Sequence, residues 1–131
     1  MPNDRSTWTV FLILFAIGCP LADNAETWKV ERLAYDLETA EGPVWDSQGK
    51  LFFTEIFGNQ VHEYTLETGA FRAIKHDSDG ANGMAFDFQK RLLMCEMVGR
   101  RVSQREHDGT IVTLWQADHP ARGGPNDIVV S

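Results

Sequence analysis

Cysteine is scarce in this 131-residue chain, with Cys19 and Cys95 the only two, and a fold stapled by several disulfides is thereby excluded. Only four histidines accompany them, and no Cys and His cluster of the kind that binds structural zinc is present. Basic residues are outnumbered, 12 Lys and Arg against 19 Asp and Glu for a net charge of -7. The pI is near 4.9, there is no basic stripe, and Arg100-Arg101 reads as a solvated hairpin turn. Nucleic-acid affinity rests on clustered Lys and Arg, so a nucleic-acid partner is excluded. Long apolar runs are missing too. The run at 8–17 is about ten residues, against the roughly 20 that a membrane-spanning helix needs. Outside that run no apolar pattern at i, i+3, i+4 and i+7 is sustained, which disfavours helical solenoids.

What the chain does have is a repeat. Glu41-Gly-Pro-Val-Trp-Asp46 returns 41 residues later as Asn82-Gly-Met-Ala-Phe-Asp87. In step with it, Lys50-Leu-Phe-Phe-Thr-Glu55 falls on Arg91-Leu-Leu-Met-Cys-Glu96, Gly58 on Gly99 and Val61 on Val102. A third copy starts at Asn126-Asp-Ile-Val-Val-Ser131, 44 residues after the second. A fixed period in this range signals a stacked or radial array.

Within each unit, apolar runs alternate with turn formers such as Asp46-Ser-Gln-Gly49 and His107-Asp-Gly109. The spacing predicts strands at 42–45, 51–55, 60–64 and 70–74, then 83–86, 91–96, 101–105 and 110–114, with a further strand opening at 126. Four antiparallel strands in 41 to 44 residues form one blade of a β-propeller. The fold class expected is therefore all-β, about two blades plus the start of a third over residues 26–131. Residues 28–33 are a candidate outer strand for the closing blade. Open blade faces on the fragment alone would favour self-association.

Residues 1–25 read as a leader: Arg5, the apolar run, then small residues around Gly18. Either it is a cleaved signal peptide, or Ala16-Ile-Gly-Cys19 is a lipobox and Cys19 is lipidated. Both readings make the protein exported, periplasmic or extracellular, touching membrane only through the leader or a lipid anchor. Cys95, in an apolar strand, is expected as a buried thiol.

In a propeller the innermost strand of each blade lines the channel, so residues at its start ring one mouth. Glu41, Asn82 and Asn126 occupy that place. One carboxylate and two amides supply oxygen donors suited to a hard divalent cation. Equally, Asn82-Gly83 and Asn126-Asp127 can serve as ordinary turn residues. The histidines His62, His76, His107 and His119 are expected on the surface, Trp45 and Phe86 as filling between blades, and Glu55 and Glu96 in a shared structural role.

The ordered motifs Glu41-Gly-Pro-Val-Trp-Asp46, Leu51-Phe-Phe-Thr-Glu55, Ala81-Asn-Gly83, Leu92-Leu-Met-Cys-Glu96, Gly99-Arg-Arg-Val102, Asp108-Gly109 and Pro125-Asn-Asp-Ile-Val-Val130 resemble the gluconolactonase and regucalcin family of six-bladed propellers. The resemblance covers about 28–131. It implies one divalent cation at the channel mouth, Ca²⁺ first, with Zn²⁺, Mn²⁺ or Mg²⁺ as alternatives. Glu41 would be a direct ligand and Asn126 a ligand or a holder of metal-bound water. Asp127 would orient Asn126 and is the fallback catalytic base, and Asn82 would line the substrate pocket. The family's remaining ligands and its usual base belong to later blades, beyond residue 131. Arg122-Gly-Gly-Pro125 departs from the residues common before Pro-Asn-Asp. The implied activity is hydrolysis of a lactone in the full-length protein. Relatives that act on phosphotriesters or bind calcium, and a noncatalytic propeller that binds or scaffolds, are the alternatives.

Overall fold

The structure, a computed structural model, describes residues 30–34, 36–119 and 121–131. Among these residues, eight strands build two four-stranded antiparallel sheets. The first holds β1 (Ala40–Trp45), β2 (Lys50–Glu55), β3 (Gln60–Thr65) and β4 (Ala70–His76), paired in chain order. The second repeats that order with β5 (Ala81–Phe86), β6 (Leu92–Glu96), β7 (Arg101–Arg105) and β8 (Ile111–Gln116). These are two blades of a propeller, and their boundaries match the sequence reading to within about two residues. The leader at 1–25 and residues 28 and 29 lie outside the described residues. Residues 30–33 are not in a strand, and neither are 126–131, so the strand expected to open a third blade is not formed.

Irregularities recur in step with the repeat. The β1–β2 ladder shifts register between Glu41 and Val44, around Gly42, and the β5–β6 ladder between Ala81 and Met84, around Gly83. The β3–β4 ladder shifts between Val61 and His62, and the β7–β8 ladder between Val102 and Ser103. Bulges bend a strand and re-aim its side chains, so each blade is turned at the same two points. The β1–β2 turn is tied by Asp46, whose Oδ1 accepts from the Gln48 and Lys50 amides at 2.6 and 3.0 Å. Asp87 does the same in the second blade, accepting from Gln89 and Arg91 at 2.8 and 2.9 Å. The aspartate that closes each motif is a turn residue by this geometry.

The core lies between the blades. Phe52 and Val61 from the first meet Ala81, Met84, Leu92 and Met94 from the second, with Val44, Ile74 and Phe86 packed against them. Phe52 and Phe86 meet edge to face at 5.4 Å, a geometry worth about 1 kcal/mol beyond its buried area. Phe86 thus fills the interface as expected. Trp45, its counterpart on β1, is 39% exposed and stands outside the core cluster. Strand β8 is exposed at every position, including Leu114 and Trp115.

Polar pairs seal the same structure. Glu96 is fully buried and accepts from Ser103 Oγ at 2.5 Å and from Arg101 Nε, with Lys75 of the first blade at 3.7 Å. Arg101 also reaches Asp79 at 2.7 Å. Glu55, in register with Glu96, instead bonds His62 Nε2 at 2.9 Å and the Glu38 amide at 3.0 Å. The shared structural role expected of the two glutamates is therefore present. His62 corrects the expectation of a surface histidine. It is 4% exposed and stacks on Phe71 at 4.8 Å, because Glu55 needs there the donor that Ser103 and Arg101 provide in the other blade. The other three histidines are exposed.

Successive inner strands touch through backbone at two glycines. A Cβ on Gly42 would lie 2.1 Å from the Asn82 carbonyl oxygen, and Gly42 also holds φ at +50°. Gly42→Ala should therefore cost about 3 kcal/mol or more in denaturant unfolding. Gly49→Ala, at φ +101° with open space around it, should cost only about 1–2 kcal/mol of backbone strain. Equal losses would show that close packing at Gly42 is not what the fold requires.

Candidate functional site

The glycine contacts put the strand starts side by side. Gly42 lies against the Asn82 and Gly83 backbone, and Gly83 lies against Asn126 and Asp127, whose Oδ1 would be 2.3 Å from a Cβ there. The Gly83 amide donates to the Asn126 carbonyl at 2.7 Å. Residues 126–127 thus stand to β5 as β5 stands to β1, although they pair with no strand. Thr54 on β2 ties the first junction, its Oγ1 donating to the Asn82 carbonyl at 3.1 Å.

Glu41, Asn82 and Asn126 are consequently neighbours through their main chains. Glu41, Asn126 and Asp127 are exposed and Asn82 is half-buried. The Glu41 carboxylate and the side-chain amides of Asn82 and Asn126 have no hydrogen-bond or ion-pair partner among the described residues, whereas Glu55, Glu63, Glu96 and Asp87 are all engaged by cations or donors. Asp127 Oδ1 accepts from the Ile128 amide at 2.8 Å, leaving its second oxygen open.

These donors are all oxygen, so in kind they fit Ca²⁺, Mg²⁺ or Mn²⁺ better than Zn²⁺. No three His, Cys, Asp or Glu side chains among the described residues converge to hold a metal. Any cation here would be held through one carboxylate together with amide oxygens and ligands from elsewhere. Gly124, where the loop departs from the usual motif, packs on the Met97 carbonyl, which a Cβ would approach to 1.8 Å. A side chain there would push the Asn126 segment away from β5, so the departure serves packing.

Sequence reasoning passed over Thr54 and the contacts made by the two glycines, whereas Cys95 is the buried thiol it expected. A signal existed, since Thr54 and Cys95 are in register and both small. Cys95 is fully buried, and its thiol pKa is pushed up by burial and then by the Asp127 carboxylate.

Two blades built in register, with oxygen donors on neighbouring segments at 41, 82 and 126, define a β-propeller. The profile of the SMP-30/Gluconolactonase/LRE-like region matches residues 39–131, and the chain belongs to that family. Among solved structures, a gluconolactonase from Xanthomonas campestris is 28% identical, with a TM-score of 0.61 over 70% of this chain and 31% of its own. A structural-genomics protein assigned to the gluconolactonases is 24% identical, with a TM-score of 0.66 over 77% of this chain and 36% of its own. Virginiamycin B lyase from Staphylococcus aureus, solved with quinupristin, shares the fold at 21% identity and a TM-score of 0.59, over 76% of this chain and 34% of its own. The chain thus spans about a third of the length of these structures. No curated protein matches it.

A raised thiol pKa means the folded state favours neutral Cys95. That contribution is complete below the unfolded thiol value and is lost as pH rises through the folded one. Stability should therefore fall above about pH 8.5, and Cys95→Thr, which copies Thr54, should lessen the fall. In a Cys19→Ser background, Cys95 should react with a disulfide reagent on the order of 100-fold slower in the native state than when unfolded. Equal rates would show that the thiol is accessible.

Proposed function

We propose that the intact protein is a divalent-metal-dependent hydrolase of lactones, working at the mouth where Glu41, Asn82 and Asn126 are neighbours. The observation that carries this reading is the contrast in pairing. Buried carboxylates in both blades are engaged, while Glu41 and the two amides sit at contacting strand starts with no internal partner. Unpaired polar groups gathered at one point are free to bind something else. Membership of the SMP-30/Gluconolactonase/LRE-like family and the 28% identity to a gluconolactonase support a cyclic ester as the substrate class.

In this proposal Glu41 and Asn126 hold the cation, Ca²⁺ by preference for carboxylate and amide oxygens. When bound, the cation supplies Lewis acidity toward the ester carbonyl. The Asn82 amide donates to substrate oxygens and orients the ring. Asp127 keeps one carboxylate oxygen on the Ile128 amide, which fixes its position, and the other accepts a proton from the attacking water. The exported location read from residues 1–25 is part of the same proposal.

The test is Glu41→Gln in the intact protein, which preserves size and removes the charge. Lactone hydrolysis should fall about 100-fold or more in kcat/KM, and Ca²⁺ affinity by calorimetry should fall with it. Unchanged affinity and rate together would refute the reading. Asp127→Asn should lower kcat while leaving Ca²⁺ affinity nearly intact.

A further inference from the structure

At the mouth opposite Glu41, a cleft of about 260 Å³ opens between the two blades. Phe52, Phe86 and Leu92 supply its apolar lining, and Lys90, Arg105 and His107 are among the polar side chains that line it. The carboxylates that also line it are already occupied. Asp46 holds the Gln48 and Lys50 amides at 2.6 and 3.0 Å. Glu63 is held by Arg72 at 2.9 Å and Lys50 at 3.3 Å. Glu106 accepts from Gln104 and lies 3.7 Å from Arg91.

The lining cations differ. The Lys90 ammonium has no partner among the described residues, and the buried Arg105 Nε has none either. Asp108 forms no ion pair with Arg105 among the described residues; its carboxyl is held below its usual range first by the Thr110 amide and only last by Arg105. Lys90 is also held at φ +63°, a conformation costly for a lysine, in a turn where the first blade has Gly49 instead. A strained lysine without a partner and an arginine whose Nε is unmet thus border one cleft that also has an apolar lining.

We propose that this cleft binds a small organic anion, an aryl or alkyl carboxylate or phosphate monoester. Its apolar body lies on Phe52, Phe86 and Leu92 and its charge sits between Lys90 and Arg105. The volume suits a body of about one aromatic ring, below the usual range for drug-sized pockets. The site is separate from the Glu41 mouth and stands or falls independently of the lactonase reading.

The test uses the full chain with phenyl phosphate, phenylacetate, inorganic phosphate and benzyl alcohol as probes, followed by calorimetry and by methyl NMR of Met84, which packs with Phe52 and Leu92. One or both aryl anions should bind saturably and shift Met84, and which binds tighter separates a phosphate from a carboxylate preference. Inorganic phosphate and benzyl alcohol should each bind about tenfold more weakly or worse. Lys90→Asn, which suits a positive φ, and Arg105→Met should each weaken the aryl anion about tenfold, Arg105→Lys should restore part of the loss, and Glu41→Gln should change nothing. Absence of saturable binding, inorganic phosphate binding as tightly as phenyl phosphate, or affinity unaltered in both Lys90→Asn and Arg105→Met would each overturn the proposal.

Discussion

The close approach of successive inner strands at Gly42 and Gly83 is the constraint on which the rest of the structure depends. At each glycine the next strand start lies where a side chain would otherwise stand, so the blades can converge only if those positions carry no Cβ. The same contacts set the spacing of residues 41, 82 and 126. Blade packing and the placement of those three residues are therefore one arrangement. A substitution that separates the strands would also separate the donors.

Energetically the interface divides into two zones. Toward its middle, Phe52, Val61, Met84, Leu92, Met94 and Phe86 supply apolar burial. Near the Glu41 end it is polar, with Glu96 gathering Ser103, Arg101 and Lys75, and Glu55 held by His62 and the Glu38 amide. Each of these glutamates is buried, and removing a partner would strand a charge at about 3–5 kcal/mol. Such pairs add little net stability over an apolar alternative but fix which strand lies beside which.

Much of the fold was legible because the repeat preserves its register down to the bulges at 42 and 83 and the turn aspartates 46 and 87. The errors fall where the two copies differ. His62 replaces the position of Ser103, and nothing local reveals that it must answer Glu55 across a strand pair. Trp45 shares its place with Phe86, yet exposure depends on what stands beside the strand, which period alone does not state. At 126–131 the short apolar run Ile128-Val129-Val130 is that of a strand, but a strand also needs a ladder, and the described backbone hydrogen bond there is one from the Gly83 amide. Glu41, Asn82 and Asn126 could be picked out by position. Their lack of internal partners, and the tie from Thr54 to Asn82, required coordinates.

Manganese titration of the isotopically labelled chain is the most direct measurement of the central claim, since Mn²⁺ prefers oxygen ligands and broadens nearby resonances. The amides of residues 41–42, 82–83 and 126–127 should fade together at the lowest metal concentrations, because they surround one point. Broadening confined to one of the three segments, or arising first at the opposite mouth near Asp46 and Glu106, would contradict it.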